Sequence, residues 1–225
     1  MEQQKISLGL VLVLGLAGLG LFFGGFVLAQ GMGEGPDQWV LQQSELPEGA
    51  RIVGRSLEDD DFSGPLSVAN FAMRAEGFRE GYIVEGEYPC DFRNEAVREL
   101  VVDGSGTVGV LNMAYQFHRS EQATAQIEQA VELIAQAAEQ DLNQSKGNIE
   151  YIELGSLLHD EPLANDNKMQ GRIVRATWVE EDVEFVSDLF LGARDKTFVF
   201  LAVHGFDDPS SHQAFEALLP KLLQR

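Results

Sequence analysis

From Ile6 to Ala29 the chain reads ISLGLVLVLGLAGLGLFFGGFVLA, with no charged residue in it. At about 1.5 Å per residue a helix of that length spans roughly 36 Å, against a bilayer hydrocarbon core of roughly 30 Å. Lipid offers a backbone no hydrogen bonds, so such a run is either inserted as a helix or removed as an export signal. Both outcomes bring the rest of the chain to a membrane, and this constrains the protein more than any other feature.

The flanking charges set a direction. Lys5 and the amino terminus outweigh Glu2 before the run, whereas Glu34, Asp37, Glu45 and Glu48 follow it with no base until Arg51. Positive charge stays cytoplasmic, so the N-terminus is expected inside and the large domain outside. Val27-Leu28-Ala29 before Gln30 fits the small-residue rule for cleavage, which would release a secreted domain. A signal core is usually only about 7–15 apolar residues, and this one is longer, so a retained signal-anchor is expected. No cysteine follows the run, which excludes a lipoprotein signal. Gly20-Leu21-Phe22-Phe23-Gly24 is a GxxxG, a spacing that lets membrane helices approach closely, and helix–helix association through Gly20 and Gly24 is a candidate contact.

Residues 1–29 are therefore read as the anchor, 30–46 as a Gly- and Gln-rich juxtamembrane linker, and 47–225 as one exported domain. The net charge is −20. No basic stripe is visible, so nucleic acid is not an expected partner. An acidic surface also argues against an anionic lipid surface and suits a cationic partner or a bound divalent metal. Cys90 is the single cysteine, so no internal disulfide can form, and a buried thiol is expected.

Periodicity divides the domain into elements. Ala50 to Arg55 reads as a short strand, 65–78 as a helix started at Ser67 and ended by Gly77, and Tyr82 to Tyr88 as a strand stopped by Pro89. Leu100 to Phe117 is expected to be a hairpin, with Glu99 to Val102 as one arm and Asp103-Gly104-Ser105-Gly106 as the turn. On its second arm Leu111, Met113, Tyr115 and Phe117 form one apolar face. Ser120 to Leu142 is an amphipathic helix capped by Ser120, with Ala123, Ile127, Ala130, Ile134 and Ala137 in one stripe. Ile149 to Leu154 leads into a meander of Gly171–Val179, Val183–Leu191 and Thr197–His204. The last of these strands is apolar nearly throughout, as a strand covered on both faces must be. Asp208-Pro209 opens a final helix docked by Phe215, Leu218, Leu219 and Leu222, with a kink expected at Pro220. The fold class is α+β: one transmembrane helix, then a mainly antiparallel sheet packed by two or three helices.

The meander 171–204, its turns, and the helix ending Phe215-Glu216-Ala217-Leu218-Leu219-Pro220 resemble the α/β/α sandwich of PsbP/Mog1-like domains of bacterial envelope proteins. The resemblance implies a domain that binds a partner or assists a complex as an accessory subunit, without catalysis of its own.

Chemistry is sparse. Glu58-Asp59-Asp60-Asp61 lacks the alternating spacing of a calcium loop. Gly104-Ser105-Gly106 lacks the frame of a nucleophile elbow. Asp160, Glu161, Asp166 and Asn167 crowd one loop and are candidate oxygen ligands for a hard cation. His204 and His212 bracket Asp207-Asp208 between a strand end and a helix start, a candidate metal or acid–base site. No catalytic residue and no cofactor is assigned. The expected function is a membrane-anchored, extracytoplasmic interaction module for a protein or small ligand. The alternative is an anchored hydrolase or metal-dependent enzyme built on the Asp/His loops.

Overall fold

The computed structural model describes residues 35–57, 77–101, 105–142, 148–152, 169–180 and 182–225. The apolar run, the acidic loop at 58–61, all of the helix expected over 65–78 but its last two residues, and the loop holding Asp160 to Asn167 lie outside them; Gly77 is a turn and Phe78 already begins a strand. Among the described residues no helix is long and apolar enough to cross a membrane.

The chain forms β1 (Arg51–Ser56), β2 (Phe78–Asp91), α1 (Glu95–Leu100), β3 (Ser105–Phe117), α2 (Ser120–Leu142), β4 (Asn148–Ile152), β5 (Gln170–Glu180), β6 (Val183–Arg194), β7 (Thr197–Phe206) and α3 (Pro209–Leu223). All seven strands join one sheet in the order β1-β2-β3-β7-β6-β5-β4. Every neighbouring pair is antiparallel. The expected α+β class and the meander β5-β6-β7 are both present.

The sheet is covered on both sides, and β7 shows why. Phe198, Phe200 and Ala202 pack on one face with Ala123, Ile127 and Ala130 of α2. Val199, Leu201 and Val203 pack on the other with Phe215, Leu218, Leu219 and Leu222 of α3. Alternate side chains of a strand point to opposite faces, so an unbroken apolar run requires two covers. Leu111, Met113, Tyr115 and Phe117 of β3 line the α2 face as the alternation predicts. The small residues of the α2 stripe let that helix lie against the aromatic rings.

Four details differ from expectation. Residues 36–46 are not a free linker. They form two short 3-10 turns, Pro36–Trp39 and Gln43–Glu45, and pack on the α3 face with Val40 and Leu41 buried. Asn112, buried in β3, holds them: it accepts the Leu41 N–H at 2.7 Å and donates to the Phe200 carbonyl at 2.8 Å. Second, Glu99 and Leu100 belong to helix α1, not to a hairpin arm. The Asn94 side chain accepts the Ala96 N–H and starts a helix through good helix formers. Third, β2 runs through Pro89 to Asp91. β1 stops pairing at Glu87, so Pro89 lies where a missing N–H costs no ladder bond on that side. Fourth, α2 begins at Ser120 itself, and Gln122 caps it by accepting the Arg119 N–H. Helix α3 continues through Pro220 to Leu223.

Two substitutions test this arrangement. Phe200→Ala removes a fully buried ring from the central strand and is expected to cost about 3–5 kcal/mol in urea unfolding of the full chain. Asn112→Ala strands the buried Leu41 N–H and is expected to cost about 1–3 kcal/mol. It should also speed proteolysis within residues 36–46. A wild-type midpoint in both variants would show that β7 and Asn112 are peripheral.

Candidate functional site

The sequence singled out His204, His212, Asp207 and Asp208, and the fold brings them to one end of the sheet in separate settings. Asp208 is buried and caps α3: one oxygen accepts the Ser210 N–H at 2.8 Å. The other accepts the Arg93 N–H at 2.8 Å and the Asn94 N–H at 2.6 Å. Burial would raise its pKa, but these backbone donors outweigh burial and hold the carboxyl below the usual range. Asp208 is thus a clamp joining α1 to α3.

His212, on the first turns of α3, enters an ionic chain. Its Nδ1 lies 2.7 Å from Oδ2 of Asp188 and its Nε2 lies 3.1 Å from Oδ1 of Asp207. Asp188, on β6, is 1% exposed. Nε of Arg175, on β5, donates to its Oδ1 at 2.6 Å, and a second guanidinium nitrogen donates to Oδ2 at 3.3 Å. Ionised carboxylates only accept, so a ring flanked by two of them fits best when both nitrogens carry protons. The hydrogen bond to Asp188 raises the pKa of His212 against the opposing effect of burial.

His204 lies on β7, on the α2 face, two residues before the strand ends. Its Nδ1 is 3.1 Å from the Ser187 hydroxyl. The ring stacks on Trp178 with centroids 5.5 Å apart and planes 7° apart. Trp178 stacks in turn on Phe185, and Phe185 on Phe206. Burial lowers the pKa of His204 to about 4, which keeps it neutral near pH 7. The Trp178 Nε1 is buried without a hydrogen-bond partner among the described residues.

His204 and His212 therefore do not converge. They sit on opposite faces of the sheet, and both nitrogens of His212 are already engaged. Among the described residues no group of His, Cys, Asp and Glu is placed to hold a metal ion. Cys90 is buried as expected, and burial pushes its thiol up to about 11. Ser105, from the Gly-Ser-Gly turn, opens β3 opposite Asp91. Sequence reasoning missed Arg175 and Asp188. Their signal was a carboxylate inside an otherwise apolar strand, VEFVSDLFLGAR, because a charge buried there requires a cation beside it.

The two histidines act on stability in opposite directions. The folded pKa of His212 is raised, so its contribution is complete below about pH 6.5 and is lost as pH climbs through the folded value. The folded pKa of His204 is lowered, so its contribution is present above about pH 6.5 and is lost as pH falls toward 4. Unfolding midpoints across pH 4–8 should show His212→Gln flattening the alkaline side and His204→Gln flattening the acid side. Asp188→Ala leaves Arg175 and His212 without their shared buried counter-ion and is expected to cost about 3–5 kcal/mol.

No family model matches the chain, and no curated protein matches it. Among solved structures, the chain is similar to the extracellular domain of PknH from Mycobacterium tuberculosis. That likeness has 11% identity and a TM-score of 0.48, and covers 84% of this chain and 95% of that one.

Proposed function

We propose that this protein is a single-pass, membrane-anchored module whose domain lies outside the cytoplasm and binds a partner, as an accessory subunit of a membrane or envelope complex. The observation that carries this reading is the uncharged run Ile6–Ala29 ahead of an acidic domain. The charge difference across the run orients it with the N-terminus inside. The side chains best suited to chemistry support a binding role over a catalytic one. His212 is closed between Asp188 and Asp207, His204 is stacked and bonded to Ser187, and Asp208 is spent on backbone donors. Groups so engaged hold the fold, whereas a general base needs a free nitrogen within reach of substrate. The resemblance to PsbP/Mog1-like domains belongs to the same reading. The acidic surface selects a basic partner, and because surface charge governs on-rate and selectivity more than affinity, such a partner also needs an apolar contact.

Protease added to spheroplasts that express the full chain is expected to degrade the domain without lysis. Protection until lysis would reverse the orientation. Partner binding is expected to weaken with salt as charge is screened over about 8–10 Å. Hydrolytic turnover lost in His212→Ala but kept in a surface control such as Glu216→Ala would replace the binding module with an enzyme.

A further inference from the structure

Strand β1 is an edge of the sheet. It pairs with β2 on one side, and among the described residues no strand lies on the other. Backbone groups of successive residues in a strand point to opposite sides, so one set faces β2 and the alternate set faces out. Just past the strand, the Leu57 N–H bonds the Gly81 carbonyl of β2. Arg51, Val53 and Arg55 share its direction, and Ile52, Gly54 and Ser56 turn their N–H and C=O outward.

That outer side carries one guard. The Gln43 side chain accepts the Ile52 N–H at 3.0 Å and donates to the Ala50 carbonyl at 2.9 Å. An amide that takes one N–H and answers the carbonyl two residues before it does what a residue of a parallel neighbouring strand does. Gln43 thus stands on β1 as a strand one residue long. It belongs to the docked segment 36–46, so whatever lifts that segment from the sheet also takes Gln43 off the edge.

Beyond Gln43 the edge is open. Natural edges are blunted by proline, bulges, charge or a covering element. The register of β1 runs from Arg51 to Ser56 with no proline and no bulge, and its charges are Arg51 and Arg55. Gly54 and Ser56 are exposed. Val53, at 68%, is the most exposed large apolar side chain among the described residues.

The outward set matches itself. Two copies laid antiparallel about a twofold axis at Gly54 pair Gly54 with Gly54, Ile52 with Ser56, and Val53 with Arg55. Each pair of outward residues exchanges two bonds, about six in all. Glycine stands at the axis, and Val53 lies against the aliphatic stem of the second copy's Arg55. The contact is backbone to backbone and calls on no charge complementarity between two acidic chains. It does need both Ile52 N–H groups, and Gln43 holds them.

We propose that the outer edge of β1 is a strand-pairing site for a second copy of this chain, and that the Gln43 amide keeps it closed while residues 36–46 are docked. Copies confined to one bilayer, as the anchor reading has them, meet at raised effective concentration. The pairing geometry is the same without that anchor.

Disulfide trapping reads the register. In the twofold pairing, Val53 and the second copy's Arg55 have Cα atoms about 4.5 Å apart, within reach of a disulfide. Val53 and its own counterpart are diagonal, about 7–8 Å apart, and out of reach. Full-length Val53→Cys chain bearing an epitope tag is mixed in detergent with untagged Arg55→Cys chain and oxidised. The salt is about 0.15 M, which screens the two acidic chains beyond about 8 Å. The mixed dimer is measured with Gln43 intact and with Gln43→Ala in both chains. Cys90, which is buried, and the apolar run are present in every arm, so contacts through either cancel. Gln43→Ala is expected to raise the 53–55 dimer several-fold and to leave the 53–53 dimer of Val53→Cys alone unchanged. Adding Ser56→Pro removes an outward N–H without touching the β2 ladder, and should return the yield to that of the chain with Gln43. Equal 53–55 yield with and without Gln43 overturns the guarded edge. A rise shared by the 53–53 dimer, or one that survives Ser56→Pro, shows loosened chains colliding and overturns the strand pairing.

Discussion

A strand with no polar face has to be covered twice, and that requirement at β7 organises the molecule. Helix α2, with 23 residues, is long enough at about 1.5 Å per residue to run the length of a 33 Å strand. Helix α3, with 15 residues, reaches only about 22 Å. One third of the second face would be left bare by α3 alone. Residues 36–41 fill that gap, which is why Val40 and Leu41 are as deeply buried as the leucines of α3. A segment rich in Gly and Gln becomes structural because the closing helix is short.

The same geometry explains what sequence reasoning reached and what it missed. Helices α2 and α3 were legible because one face of each is apolar at the helical period, and β7 because it is apolar on both faces, with polar turns marking β5 and β6 before it. The docked segment 36–46 was not, because its burial depends on the length of α3 and on Asn112, 71 residues after Leu41. Asn112 alternates with Leu111 and Met113 and so lies on the other face of β3. Its buried amide answers one N–H and one carbonyl that would otherwise lack partners. Helix α1 was hidden because Glu99 to Val102 alternates weakly and its start signal, Asn94, stands outside the stretch read as a hairpin.

The histidine region was half legible. His204, His212, Asp207 and Asp208 stand close in sequence, and proximity suggested a single site. Strand alternation separates them: His204 follows the α2 face of β7, and His212 rides on α3 across the sheet. The partner that matters to His212 is Asp188, 24 residues away, with Arg175 another 13 residues before it. Only the β5–β6 register brings those two side by side. A buried carboxylate held by a guanidinium and an imidazole fixes how α3 sits on the sheet more than it adds net stability, because desolvation offsets much of the attraction. Asp208 completes the fixation by gripping α1 and α3 at once.

These polar fixings cluster at the end of the sheet where β6 begins and β7 ends, and the apolar docking of 36–41 lies toward the opposite end. The end held firm by Asp188, His212 and Asp208 is the one where α1, α3 and two strand ends are tied together. A basic partner meeting that end finds its charges already positioned, so little ordering entropy is lost on binding.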